Sequence, residues 1–244
     1  MRWVWLAFRR TGVGRRAVPL AGPLALIAVV AVWAAMMTLG WALVYLPHLD
    51  DGAVGALHFS LASLTTLGAD LSPDAGWLRV AAPFEALLGF GLLSASISWL
   101  LLIYPVLTRR RTLAYEVSLL RKVEQETGVS PVDLEPETAD RLYADLVSRL
   151  VAVERDLVNF PVSYYFAESD ERFSLPASGL YLLALARHGT SDDKPEHVRL
   201  RARMLLDALE DLGATVSGRF GRHAYETADE ALTAYAKDHR RAAE

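Results

Sequence analysis

The chain of 244 residues has no cysteine. That excludes disulfides, thiolate metal centres and a cysteine nucleophile, and leaves the redox compartment open. Lysine and arginine are missing from residues 47–78, where the charges are Asp50, Asp51, Asp70 and Asp74. Charge of either sign is missing from residues 18–46. No Gly-x-Gly-x-x-Gly follows a strand pattern: Gly218-Arg219-Phe220-Gly221 is not that motif, and no Walker A sequence occurs. The six histidines (48, 58, 188, 197, 223, 239) are scattered, with no zinc-protease helix and no arguable Ser-His-Asp spacing. Asp192, Asp193 and His197 lie close together, but an Asp pair before a Pro-started helix is explained by capping and the helix dipole. The expectation is therefore a chain that is not an enzyme, with no cofactor. Alternating strand patterns, repeats and low-complexity tracts are absent, and so is any basic face suited to nucleic acid.

What is present is apolar. Hydrophobic residues make up 52% of the chain, high for a soluble protein, and the excess lies before position 108. Beyond 107 stand nineteen of the 25 basic and twenty-four of the 29 acidic residues. The chain thus divides into an apolar half and an acidic, charged, water-soluble half.

Residues 1–17 form a basic amphipathic segment, with Trp3, Trp5 and Phe8 ahead of paired arginines. Two readings stand: an interfacial helix, or a basic segment that sets topology. A cleaved signal is rejected, because the following apolar run is too long and no small-x-small site closes it. Residues 18–46 form an outer membrane-spanning helix. Pro19 and Pro23 fall in its first turns, and Trp41 and Tyr45 sit as an interfacial aromatic belt. Residues 79–107 form the second span. The arginine-free linker between Arg-rich flanks puts the loop outside and both termini in the cytoplasm, in a multi-pass protein of the plasma (inner) membrane.

Between the spans, residues 54–67 carry Leu57, Leu61 and Leu64 at helical spacing but are too short to cross a bilayer. An extracellular surface helix is the bland reading. It leaves Thr65-Thr66-Leu67-Gly68 unexplained. Phe59 to Pro73, reading Phe-Ser-Leu-Ala-Ser-Leu-Thr-Thr-Leu-Gly-Ala-Asp-Leu-Ser-Pro, resembles the pore helix and filter of the potassium-channel superfamily in its two-transmembrane form. That family typically reads Thr-Thr-Val-Gly-Tyr-Gly-Asp. The resemblance covers Val18 to about Lys122. It implies a pore domain over 18–107, with outer helix 18–46, re-entrant pore helix 54–67, filter region 68–73 and inner helix 79–107. It also implies a homotetramer in the lipid bilayer that passes K⁺ or Na⁺, with no other metal.

The ion pathway then comprises Thr65, Thr66, Leu67, Gly68, Ala69 and Asp70. Carbonyls of Thr66, Leu67 and Gly68, with the Thr hydroxyls, replace the ion's water. The family's aromatic and second Gly are absent here and one position is deleted, so the filter is non-standard and shortened. A non-conducting membrane sensor or scaffold that kept the channel fold is the alternative function. Glu85, the one internal charge of the second span, either supports the filter from behind the pore helix or lies wet at the outer interface. Gly89 and Gly91 are candidates for a gating hinge or for close helix packing.

Residues 108–127 continue the inner helix into the cytoplasm, with Arg109-Arg110-Arg111 as a membrane anchor. Residues 128–244 are an all-α cytoplasmic domain whose ligand or partner the sequence does not name. Its helical stretches are Pro136–Asn159, with Leu142, Leu146, Leu150 and Leu157 on one stripe, then Leu175–Arg187, Pro195–Leu212 closed by Gly213, and Ala224–Arg240. The aromatic piece Phe160 to Phe166 is a buried connector or a docking surface.

Overall fold

The computed structural model describes residues 18–68, 76–168, 170–220, 225 and 227–243. The N-terminal basic segment and residues 69–75 of the filter region lie outside it. The described residues form seven α-helices, short 3₁₀ turns and no strand: α1 Val18–Tyr45, α2 Gly52–Leu64, α3 Leu78–Thr127, α4 Pro136–Asn159, α5 Leu175–Gly189, α6 Glu196–Phe220 and α7 Ala228–Ala243. Two compact units result, one over Pro23–Leu102 and one from Ile103 onward.

In the first unit, two helices are long and apolar enough to cross a membrane. Their large side chains stay on the outside: Trp33, Met36 and Leu43 on α1 and Leu87, Ile97 and Leu101 on α3 are all exposed. A core helix of a soluble protein buries such a surface. α1 ends in a 3₁₀ turn, Leu46–His48, because Pro47 supplies no backbone donor. α3 is continuous for 50 residues and runs through Pro105. The expected inner helix and its cytoplasmic extension are thus one element, stopped where Gly128 takes φ +70°. Ser96 and Ser98 return their hydroxyl protons to the carbonyls of Leu92 (2.7 Å) and Ser94 (2.9 Å), on their own helix.

The second unit packs α4 to α7 around a stripe of α3. Leu113, Ala114 and Val117 enter the same core as Leu146, Leu150, Leu182, Leu205 and Leu232. The buried face of α4 is wider than its leucines, since Tyr143 and Val153 join it. Tyr143 donates to the Leu185 carbonyl at 2.8 Å. α6 continues through Gly213 to Phe220 rather than ending there. Gly213 is a packing position: a Cβ there would stand 3.4 Å from the Ala228 backbone and from Ala231 Cβ.

The arginine cluster has partners within this unit. Arg109 makes a bidentate pair with Asp156, both bonds 2.8 Å, and Arg111 pairs with Glu168 at 2.7 Å. Arg110 is buried and donates to the carbonyls of Ser163 (2.6 Å) and Phe166 (2.5 Å). Of the three arginines expected as a membrane anchor, Arg110 is buried among 3₁₀ carbonyls, while Arg109 and Arg111 stay half exposed beside their acidic partners. The aromatic piece is a buried connector, with Ser163, Tyr164 and Phe166 inside.

His239 closes this cluster. It is buried, its ring nitrogens face the carbonyls of Tyr164 (2.9 Å) and Tyr235 (3.2 Å), and both tyrosine rings stand edge-on to it. Burial, then the nearby Arg110 charge, push its pKa down to about 4; the Tyr164 carbonyl, then Asp238 on its own helix and the Tyr235 carbonyl, pull the other way. The folded state keeps His239 neutral while the unfolded chain takes up a proton below about pH 6.5. The stabilisation is therefore complete above pH 6.5 and is lost as pH falls toward 4, amounting to about 3 kcal/mol over that window. In His239→Gln, stability of this unit is expected to fall less between pH 6.5 and 4.5 than in wild type. Equal losses in denaturant melts at the two pH values would refute the assignment.

Candidate functional site

α2 starts at Gly52, which holds φ +63°, and has 13 residues, two earlier and three shorter at the far end than the expected 54–67. Its packed face is the small one. Ala56, Ser60, Ala62 and Ser63 are buried with Phe59 and Leu64, while Leu57 and Leu61 point outward. Of the three leucines at helical spacing, only Leu64 is on the packed face. Where lipid replaces water, apolar bulk drives no helix association. Small residues that allow close approach, and polar ones that bond across, form the contacts instead.

One of those contacts centres on Glu85 of α3, which has no exposed surface. The Tyr45 hydroxyl of α1 donates to its Oε2 at 2.8 Å. The Ser60 hydroxyl of α2 lies 2.6 Å from its Oε1 and 3.0 Å from the Thr38 carbonyl of α1. One carboxyl thus joins all three helices of the unit. Ser60 has a single hydroxyl proton for two acceptors. All three contacts are satisfied together when Ser60 donates to Thr38 and accepts from the group at position 85. Rings close the site: Tyr45 meets Phe59 edge-on at 4.8 Å and stacks on Trp41 at 5.8 Å.

Sequence reasoning singled out Glu85 but missed its partners. Tyr45, read as an interfacial belt residue, is fully buried. The available signal was the carboxyl itself, since a buried one needs donors, and Ser60 is the first hydroxyl of α2.

α2 ends in a Schellman motif whose turning residue is a threonine. The amide of Thr66 donates to the Ser63 carbonyl and that of Leu67 to the Ala62 carbonyl, both at 2.9 Å. Thr66 sits at φ +59°, where glycine is usual, and Gly68 at +82°. For a β-branched residue this costs about 1–2 kcal/mol. The Thr65 hydroxyl donates to the Leu61 carbonyl at 2.7 Å, which leaves its oxygen lone pairs facing outward. Among the described residues, no hydrogen bond reaches the carbonyls of Thr66, Leu67 or Gly68. All four residues from Thr65 to Gly68 are exposed. Ala69 and Asp70 lie outside the described residues.

Gly89 and Gly91 sit differently although both are helical. A Cβ on Gly89 would overlap the carbonyl carbon and oxygen of Leu64, the last residue of α2; Gly91 has nothing within 4 Å. In the other unit, Asp192 pairs with Arg199 at 3.2 Å. Asp193 is held below the usual carboxylate range by the Ser191 hydroxyl. Among the described residues no three metal-ligating side chains come together.

The arrangement can therefore offer exposed carbonyl and hydroxyl oxygens at the end of a short helix, the carbonyls accepting no hydrogen bond among the described residues, backed by a buried polar joint. No protein family, characterised protein or solved structure matches this chain.

Proposed function

We propose that the chain is one subunit of a homotetrameric, potassium-channel-like cation channel whose pathway runs past Thr65 to Asp70. The observation that carries this reading is α2. It is about 20 Å long, shorter than the roughly 30 Å hydrocarbon core. It lies between two membrane-length helices, and among the described residues no hydrogen bond reaches the carbonyls of Thr66, Leu67 or Gly68 at its end. Such backbone is tolerated at membrane depth only where protein or water surrounds it, so several copies must enclose it. The resemblance implies four.

Hard alkali cations suit these oxygens. The filter is short, with Gly68 free to adopt positive φ and Ala69 carrying a Cβ where the family has glycine. Fewer carbonyl sites, with a ring of Asp70 carboxylates at the outer end, give weak discrimination between K⁺ and Na⁺. The loop opens to the outside, where the arginine-free, acidic linker concentrates cations, and both termini are cytoplasmic. A non-conducting sensor or scaffold is the second reading, favoured by the lost aromatic and second glycine.

Purified full-length protein in liposomes tests the proposal. The expected result is cation flux with a reversal potential near that of a weakly selective pathway, shifted by Asp70→Asn. Cysteines placed singly at Asp51 and Ser191 report orientation in intact cells, the first labelled by an impermeant reagent and the second protected. Absence of flux from correctly oriented tetramers would leave the sensor reading; strong K⁺ selectivity indifferent to Asp70→Asn would sink the shortened filter.

A further inference from the structure

We infer that Gly89 is a positioning residue that seats the ion-pathway loop, and not a gating hinge. The inference rests on the channel reading above and deepens it. The atoms a side chain at 89 would meet are the Leu64 carbonyl oxygen and carbon, with Leu64 Cδ1 at 3.1 Å. The first two are backbone and cannot swing aside, so either α3 or the end of α2 must move. Leu64 is the last helical residue, and Thr65 and Thr66 form the turn that follows. Moving the Leu64 carbonyl moves that turn.

The contact has a second half. Ser60 and Leu64 are one helical turn apart on α2, and Glu85 and Gly89 are one turn apart on α3. Glu85 bonds Ser60 at 2.6 Å while Gly89 abuts Leu64. Two contacts in the same register fix both the rotation of α2 and its height along α3. A single contact leaves one of these free. The height of α2 sets where helix ends and coordinating loop begins, hence where the oxygens stand that discriminate between ions. A bend at 89 would separate the two surfaces. α3 is helical throughout this stretch, and a Cβ on Gly91 would meet nothing within 4 Å, so the close approach is confined to position 89.

The test compares full-length Gly89→Ala, Gly91→Ala and Ser60→Ala with wild type in two measurements. The first is amide hydrogen exchange of residues 65–68, read in detergent or liposomes without any need for conduction. The turn amides of Gly89→Ala are expected to exchange about tenfold faster, as for a locally loosened segment. Ser60→Ala should move them the same way by less, and Gly91→Ala not at all. The second is the K⁺/Na⁺ permeability ratio, expected to change by about threefold or more in Gly89→Ala as coordinating oxygens shift, with Gly91→Ala like wild type.

Unchanged exchange in both Gly89→Ala and Ser60→Ala overturns the seat. So does a Gly89→Ala channel whose open probability changes while its permeability ratio does not, since that is a hinge. If Gly89→Ala does not assemble, Ser60→Ala decides, because it removes one hydrogen bond without adding volume. If wild type carries no flux, the channel reading fails on its own and exchange still decides the seat.

Discussion

Glu85→Ala is expected to destabilise the first unit by about 3–5 kcal/mol. Truncation leaves the Tyr45 and Ser60 hydroxyls facing an empty space inside a fully buried joint. Each orphaned hydroxyl costs about 1–3 kcal/mol, and the lost volume adds a cavity cost. Glu85→Gln is expected to stay within about 1 kcal/mol of wild type. Its amide oxygen accepts from Tyr45, and its NH₂ donates to Ser60, which keeps its own proton for the Thr38 carbonyl. Tryptophan fluorescence reads chiefly this unit, because four of the six tryptophans (33, 41, 77 and 99) lie within residues 23–102 and none lies beyond 99. Thermal melts followed that way should rank wild type near Glu85→Gln and well above Glu85→Ala. A Gln variant as damaged as the Ala variant would show that the joint needs a carboxylate acceptor at both oxygens, contrary to the hydrogen count.

Arg110→Ala is expected to cost the second unit about 3–5 kcal/mol. The guanidinium donates to the carbonyls of Ser163 and Phe166 of the buried connector. The Phe166 carbonyl loses its Arg110 donor and the Ser163 carbonyl keeps the Phe166 amide at 3.3 Å, at about 1–3 kcal/mol for each bond lost, and the apolar stem of the side chain leaves a gap. Arg110→Lys should recover only part of this, since one ammonium cannot reproduce a planar fork spanning two acceptors. The variant has a second signature. With the charge beside His239 removed, the pKa of that histidine rises toward its ordinary value, so the acid-induced loss between pH 6.5 and 4.5 shrinks. Far-UV circular dichroism should register the melt of the second unit while tryptophan fluorescence of the first is unchanged. A single melt seen equally by both probes would show that Arg110 does not act within its own unit.

The sequence was most informative where the relevant property is local. Continuous apolar runs mark α1 and α3 whatever they touch. Pro136 and Phe160-Pro161 bracket α4 at the residues where the helix is found, because proline lacks a backbone donor and restricts the residue before it. Gly128 stops α3 for the same kind of reason, as positive φ is open to it. Gly213 looked equally like a stop. It lies inside α6, because a glycine that ends a helix and one that admits a neighbouring backbone are the same residue. Thr-Thr-x-Gly was legible as the end of α2, although a threonine takes the left-handed position that glycine would be expected to fill.

Tertiary structure decided everything that depends on a second surface. Which face of α2 is covered could not be read from its leucines, since the contact is made by small residues packed at close range. Arg109, Arg110 and Arg111 carried the pattern of a membrane anchor. Their acceptors, Asp156, Glu168 and two carbonyls of the connector, stand 47 to 57 residues away in the chain. The sequence by itself determined which segments are helical and the division into apolar and charged halves, because hydropathy and periodicity belong to the segment that bears them. Only the tertiary structure decided that Glu85 meets Ser60 and Tyr45 and that Gly89 meets Leu64, because a side chain's partners are set by the packing of helices whose spacing along the chain carries no record of it.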